Sequence, residues 1–404
     1  MSQPREQPGL LPQALDVAGI LRHVREGPFH DDDATLPDRL AREEDLRHPS
    51  DADPTEDVVV ADRADRRKGF EGPRAQGVVF AGGSSMVAQA GRPGERRRWD
   101  ADRGKGRCVA TLASWIRAAR PLAQANLAIP LALGQAAAYH AHGTFDLRLA
   151  IAIHAFGLFD HLLIVFANDY ADRETDDGRT TWISGGSGVL ASGAIRPEAL
   201  RRAAFVAGAL AFAVTVPIVA VRPWVLFAAP VAAALLAAYS LPPFDLSRRG
   251  GGEWLQSLGV GVGLPAFGFY VQSGDPRPPA AVLLPSFLLA FAGHVLTALP
   301  DETSDRAAHK RTLVVRLGAP RATALAMAAV TVAAPFVAVA TGPTMGAWKT
   351  RALLVLAVTV PTFGHLLASI RRGRRPFSAV FVALVSVELV LVTFVLWLAG
   401  CPWP

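Results

Sequence analysis

The sequence predicts an all-α, polytopic membrane bundle of about nine transmembrane helices. Three observations predict it. From about residue 123 onward, apolar runs alternate with short polar loops, and each run is near the roughly 20 residues that a bilayer requires. The runs are apolar all round rather than striped, which excludes a soluble bundle built on one apolar face. The Arg residues of this part sit in the short loops between the runs. The chain has 404 residues, is 51% hydrophobic and carries a net charge of +6. Basic excess placed in such loops indicates a membrane protein rather than a nucleic-acid binder.

Residues 1–105 are different. They hold few aromatics and scattered apolar residues, with charge clusters at Asp31-Asp32-Asp33, Arg66-Arg67-Lys68 and Arg96-Arg97-Arg98. Such a segment cannot bury a core and is expected to be disordered. No apolar signal-peptide segment follows Met1. A second reading is a misassigned start, because Met86 is the only other methionine ahead of the apolar region. Residues 106–404 then form the transmembrane domain. The two cysteines, Cys108 and Cys401, offer neither metal spacing nor a disulfide framework.

Taken in order, Trp115 to Pro121, with Arg117 and Arg120, reads as an interfacial lead-in. The spans follow at 123–141, 149–168, 203–221, 224–240, 255–273, 280–299, 321–341, 351–370 and 377–399. Eight or ten are alternatives, since only Arg222-Pro223 interrupts 203–240. Loop charge sets the orientation. With the N-terminus in the cytoplasm, every inner segment carries at least two Arg or Lys and no outer loop carries more than two.

Two acidic runs carry the chemistry. The first, Asn168 to Asp177, directly follows the second span. At helical spacing Asp169, Asp172 and Asp176 lie at i, i+3 and i+7 on one face, with Asn168 beside Asp172. Glu174 falls on another face. Like charges so placed repel unless cations bind between them. The second run begins at Asp301, after the sixth span, with Asp305 at i+4 and Lys310 and Arg311 close behind. The chain has four lysines, Lys68, Lys105, Lys310 and Lys349, so Lys310 stands out where Arg is the default. Clustered carboxylates suit Mg²⁺, which binds through a few carboxylates plus substrate phosphates. Lys310 and Arg311 suit the anionic part of that substrate. The pattern describes a diphosphate held by Mg²⁺ at a membrane surface.

Asn168-Asp169-x-x-Asp172-x-x-x-Asp176 and Asp301-x-x-x-Asp305 resemble the two motifs of the UbiA superfamily of intramembrane prenyltransferases. The resemblance covers roughly residues 110–400. Asn168 to Tyr170, Ser184 to Leu190, Tyr239 to Phe244, Arg249 to Glu253 and Asp305 to Gly318 are most similar to the branch that prenylates 1,4-dihydroxy-2-naphthoate in menaquinone biosynthesis. His309 stands where that branch usually has Gly, Asp245 where a basic residue is common, and Pro300 where a polar residue is usual. The resemblance implies a UbiA-like fold. It implies that Asp169, Asp172, Asp176, Asp301 and Asp305 hold two Mg²⁺, with Asn168 assisting the first cluster. Lys310, Arg311 and Arg249 would neutralise the leaving diphosphate. The substrates implied are a polyprenyl diphosphate and an aromatic acceptor, at the cytoplasmic face of the inner membrane, with no obligate protein partner.

Other residues stay open. Arg120 either faces the site or contacts headgroups, and Tyr239 either contacts substrate or belongs to an interfacial belt. His140, His154, His161, His294 and His365 show no metal-ligand spacing and are expected to pack or to bond between helices. Gly185, Gly186 and Gly188 make no dinucleotide fingerprint, since no strand precedes them. Asp160 and Glu388 are isolated carboxylates at membrane depth. Those two fit the pattern of a cation-coupled transporter, the rival class, whereas the clustered carboxylates at span ends do not. Other acceptors remain alternatives within the enzyme class: 4-hydroxybenzoate, homogentisate, haem, chlorophyllide or a glycerol phosphate.

Overall fold

The structure, a computed structural model, describes residues 110–173, 186–342, 347–374 and 377–400. Residues 1–105, both cysteines, Glu174, Asp176, Asp177, Ser184 and Gly185 lie outside these.

Regular structure among the described residues is all helical. Helix α1 (Leu112–Ala119) is capped by the Thr111 side chain and ends at Arg120. A 3₁₀ turn, Pro121–Gln124, leads into α2 (Ala125–His142). Then come α3 (Leu147–Ala171), α4 (Pro197–Val219) and α5 (Ala228–Ser240), which is preceded by the 3₁₀ turn Pro223–Phe227. Short α6 (Leu246–Arg249) and α7 (Gly252–Leu258) follow, and a π-helical turn, Gly259–Gly263, joins α7 to α8 (Leu264–Ser273). After α9 (Ala280–Ala298) come short α10 (Glu302–Ala307) and α11 (Leu313–Leu317). The last three are α12 (Ala319–Ala340), α13 (Ala347–Arg371) and α14 (Phe377–Leu398).

Eight of these segments are long and apolar enough to cross a membrane, with α5 counted with its 3₁₀ lead and α7–α8 taken as one. The first expected span is α2, which is helical but less apolar. Asn126, Gln135, His140 and His142 lower its hydropathy. Burial explains how it tolerates them. Every residue from Leu133 to Ala138 is buried, so this stretch meets protein on all sides rather than lipid. It packs against α8, α14 and α3. In contrast, α4 and α5 leave large apolar side chains such as Phe205, Phe212 and Val231 exposed, as lipid-facing helices do.

The α2–α8 crossing depends on two glycines. A Cβ on Gly134 would lie 2.0 Å from the Pro265 carbonyl oxygen, and one on Gly268 would lie 2.4 Å from that of Leu131. The backbones touch there because neither residue carries a side chain, the small-residue logic of helix packing in lipid.

The second expected span, 149–168, is longer in the structure. Asp146 accepts bonds from Arg148 N (2.8 Å) and Leu149 N (3.3 Å), which starts α3 earlier. The helix then runs past Asn168 and Asp169 and stops at Ala171, with Asp172 as its C-cap.

Candidate active site

The two acidic runs meet at one end of the bundle. Asp169 is only 5% exposed, although it lies near the helix end. Its carboxylate accepts the Ser187 backbone N–H (3.3 Å) and, at close range, the Ser187 hydroxyl and the Arg120 guanidinium. Arg120 is aimed by its backbone. It adopts the left-handed region (φ 45°), while His161 bonds to the Ala119 carbonyl at 2.8 Å and pins the corner. That bond is of the helix–helix kind expected for His161.

Asp172 faces a different group of cations. Arg248 Nη2 stands 2.9 Å from Oδ1, and Lys310 Nζ stands 3.7 Å from Oδ2. The same ammonium is 3.5 Å from Asp305 Oδ1. Lys310 therefore bridges a carboxylate of the first motif and one of the second. Asp169 and Asp172 keep their i, i+3 spacing, but one is sealed among protein donors and the other is 40% exposed.

The second motif is built tightly. Asp301 is the N-cap of α10, and its carbonyl accepts Asp305 N at 2.8 Å. Asp305 is buried, and burial pushes its carboxyl above the usual carboxylate range. Lys310 and the Thr312 hydroxyl pull the other way, and the nearby Asp172 charge adds to the rise. The chain then turns at His309, which has φ 56°. This is where the resembled branch has Gly, and the left-handed backbone gives the physical reason. Past that turn, Lys310 N bonds back to Asp305 O at 2.8 Å, which directs the lysine onto the carboxylates.

Two further bonds fix this loop against α6–α7. Arg311 N donates to Arg248 O at 2.7 Å, and Leu313 N donates to the buried Glu253 carboxylate at 2.6 Å. Gly250 has φ 96°, and a Cβ there would stand 2.8 Å from Arg311 O. Tyr239, half-buried at the end of α5, packs on Gly252 and lies in the field of Glu253, Asp172, Asp305 and Asp301. Asn168 Oδ1 accepts the Ser240 hydroxyl at 2.6 Å.

The structure thus brings Asn168, Asp169, Asp172, Asp301, Asp305, Lys310, Tyr239 and Arg120 to one region. Asp176 lies outside the described residues. Arg249 and Arg311 are exposed. Arg248 and Ser187, which were not singled out in the sequence, make direct bonds to the motif carboxylates.

The carboxylates of the two motifs already share one cation, the Lys310 ammonium, and a further positive charge would relieve the buried Asp305. This donor set fits a hard divalent cation. Among the described residues, no three His, Cys, Asp or Glu side chains converge as a closed metal site.

The sequence profile of the UbiA prenyltransferase family matches residues 127–400, more than half of the chain. The chain belongs to that family. Among solved UbiA structures, a homolog from Archaeoglobus fulgidus bound to DMAPP and Mg²⁺ superposes with a TM-score of 0.55 at 19% identity, covering 71% of this chain and 98% of the other. The same protein bound to GPP and Mg²⁺ gives 0.54 at 18% identity, covering 71% and 99%. A UbiA homolog from Aeropyrum pernix gives 0.51 at 16% identity, covering 67% and 96%. At such identities these likenesses show the UbiA fold. In sequence, a lycopene elongase/hydratase of Haloarcula japonica is 29% identical over 219 residues, which is 50% of this chain and 66% of the relative, just under two thirds of its length.

Proposed function

We propose that the protein transfers a polyprenyl group from its diphosphate to 1,4-dihydroxy-2-naphthoate, at the cytoplasmic face of the inner membrane. The observation that carries the prenyl-diphosphate half is Lys310, set between Asp172 and Asp305. A cation between carboxylates of two motifs is the arrangement a metal–diphosphate complex needs. The UbiA homolog structures bound to DMAPP or GPP with Mg²⁺ support it. The naphthoate assignment rests on the likeness of the Asn168–Tyr170, Ser184–Leu190, Tyr239–Phe244, Arg249–Glu253 and Asp305–Gly318 sequences to that branch.

Asp169, Asp172, Asp176, Asp301 and Asp305 would hold the metal. Mg²⁺, when bound, supplies neutralisation of the diphosphate charge as it leaves. Lys310 and Arg248 trade their carboxylate partners for diphosphate oxygens and stabilise the same developing charge. Arg120 pairs with Asp169 and orients it, and Asn168 is held by Ser240. The allylic C–O bond breaks and diphosphate departs with the electron pair. An electron-rich ring carbon of the acceptor forms the new C–C bond. The ring then loses its carboxylate as CO₂, and the freed electron pair restores aromaticity. The exposed apolar helices α4 and α5 give an insoluble tail access from lipid, while the charged end of the bundle stays near water.

A second reading is an isoprenoid acceptor without a ring hydroxyl, which the similarity to the lycopene elongase/hydratase favours. Membranes containing the protein, supplied with Mg²⁺ and a polyprenyl diphosphate, separate the two. Prenylated naphthoate is expected. Product from lycopene alone would move the enzyme to the second reading, and product from 4-hydroxybenzoate alone would move it to another aromatic acceptor.

A further inference from the structure

A second polar cluster lies deeper in the bundle, away from both acidic motifs. A small cavity of about 20 Å³, room for one hydroxyl- or water-sized group, is lined by Asn126 and Pro130 of α2, Val260 of the π-helical turn, His294 and Thr297 of α9, and Glu388 of α14. His294 Nε2 and Glu388 Oε2 are both buried there without a hydrogen-bond partner. The Gln256 backbone hydrogen-bonds the imidazole, and Nε2 is left without a partner. An ionisable group left unsatisfied at membrane depth is costly and marks a functional site by default. Here two of them face one cavity.

The cavity lies close to the end of α9 that leads into the second motif. On α9, Ala290, His294 and Thr297 line it from one helical face, and α9 ends at Ala298, ahead of Asp301 at the start of α10. His294 lies four residues before the end of α9, about 6 Å along its axis, and Asp301 follows beyond that end. The π-helical turn supplies Val260 to the cavity wall. Gly261 in that turn comes so close to α9 that a Cβ would lie 2.6 Å from Phe287 Cα. Such single-turn π segments recur at functional sites.

The polar atoms select the ligand. A prenyl tail has nothing to offer an imidazole nitrogen and a carboxyl. A ring hydroxyl offers one donor and two acceptor lone pairs, which match the pair. Thr297 is already committed, its hydroxyl donating to His294 O at 2.9 Å. We propose that this cavity is the subsite for a hydroxyl of the aromatic acceptor, with His294 and Glu388 as its hydrogen-bonding partners. The proposal rests on the prenyl-transfer reading above and adds the class of acceptor and the residues that choose it.

The test uses the full-length protein in lipid nanodiscs with Mg²⁺, a polyprenyl diphosphate and 1,4-dihydroxy-2-naphthoate or its two monomethyl ethers. Wild-type protein should prefer the free hydroxyl over at least one ether by about tenfold in kcat/KM, the worth of one buried hydrogen bond. Glu388→Gln and His294→Ala should raise the naphthoate KM by about tenfold while leaving the prenyl-diphosphate KM in place, and His294→Ala should abolish the preference. Equal use of naphthoate and both ethers by the wild type overturns the subsite without requiring any variant to fold. So does an unchanged naphthoate KM in both variants, and in either case prenyl transfer itself stands. A wild-type protein that prenylates no hydroxylated ring overturns the acceptor reading together with the subsite.

Discussion

Asp172 and Asp305, 133 positions apart in sequence, share one ammonium: Lys310 Nζ lies 3.7 Å from the first and 3.5 Å from the second. This lysine joins the C-terminal end of α3 to α10. Replacing it with Gln keeps a polar side chain and removes the charge. We expect kcat to fall about 100-fold, the scale for losing one preorganised charge partner of a leaving group. Lys310→Arg should recover part of that loss. Release of labelled diphosphate measures both.

Arg120 and Ser187 together hold Asp169, which is buried. Arg120→Ala strands that carboxylate. The cost expected is about 2 kcal/mol, below the range for fully buried pairs because Arg120 is partly exposed. Thermal unfolding in detergent reads it as a drop of several degrees. Adding Asp169→Asn should restore most of the stability without restoring activity.

Gly250 separates geometry from charge. Gly250→Ala meets both a φ of 96° and the Arg311 carbonyl at 2.8 Å. The loop that carries Lys310 must shift. Activity should drop by about tenfold, as expected for a misplaced binding group, while the spans remain folded by circular dichroism. Gly364→Ala, which meets nothing within 4 Å, is the neutral control.

The α2–α8 crossing predicts a folding defect instead. Gly134→Leu places atoms where the Pro265 carbonyl stands and should abolish monodisperse protein on size exclusion. Gly268→Leu should do the same from the facing helix.

Much of this architecture was legible in the sequence because hydropathy and loop charge are local signals. The length of the runs gave the spans, and the i, i+3 and i, i+4 carboxylates gave the motifs. What escaped is what depends on distant contacts. The centrality of α2 shows only once α8 and α14 surround it, so its polar residues looked like those of any span. The pairing of Arg248 rather than Arg249 with Asp172 depends on how α6 ends at Gly250. Ser187 reaches Asp169 across 18 residues of chain. His294 and Glu388 were read as separate groups, since nothing local links positions 94 residues apart. His309 was visible as a departure from Gly, but its left-handed backbone was not.

Metal dependence follows from the same carboxylates. Chelation should stop turnover, and Mg²⁺ should restore it. Ca²⁺, larger and looser in its geometry, should restore little. Equal activity with and without chelator would remove the metal from the account.

The central claim is that the two acidic motifs form one prenyl-diphosphate site. Transfer of a labelled polyprenyl group to 1,4-dihydroxy-2-naphthoate, measured in membranes with Mg²⁺, tests it most directly. The account predicts robust product from the wild type and loss of about 100-fold or more in both Asp169→Ala and Asp301→Ala. Undiminished transfer in both variants would contradict it.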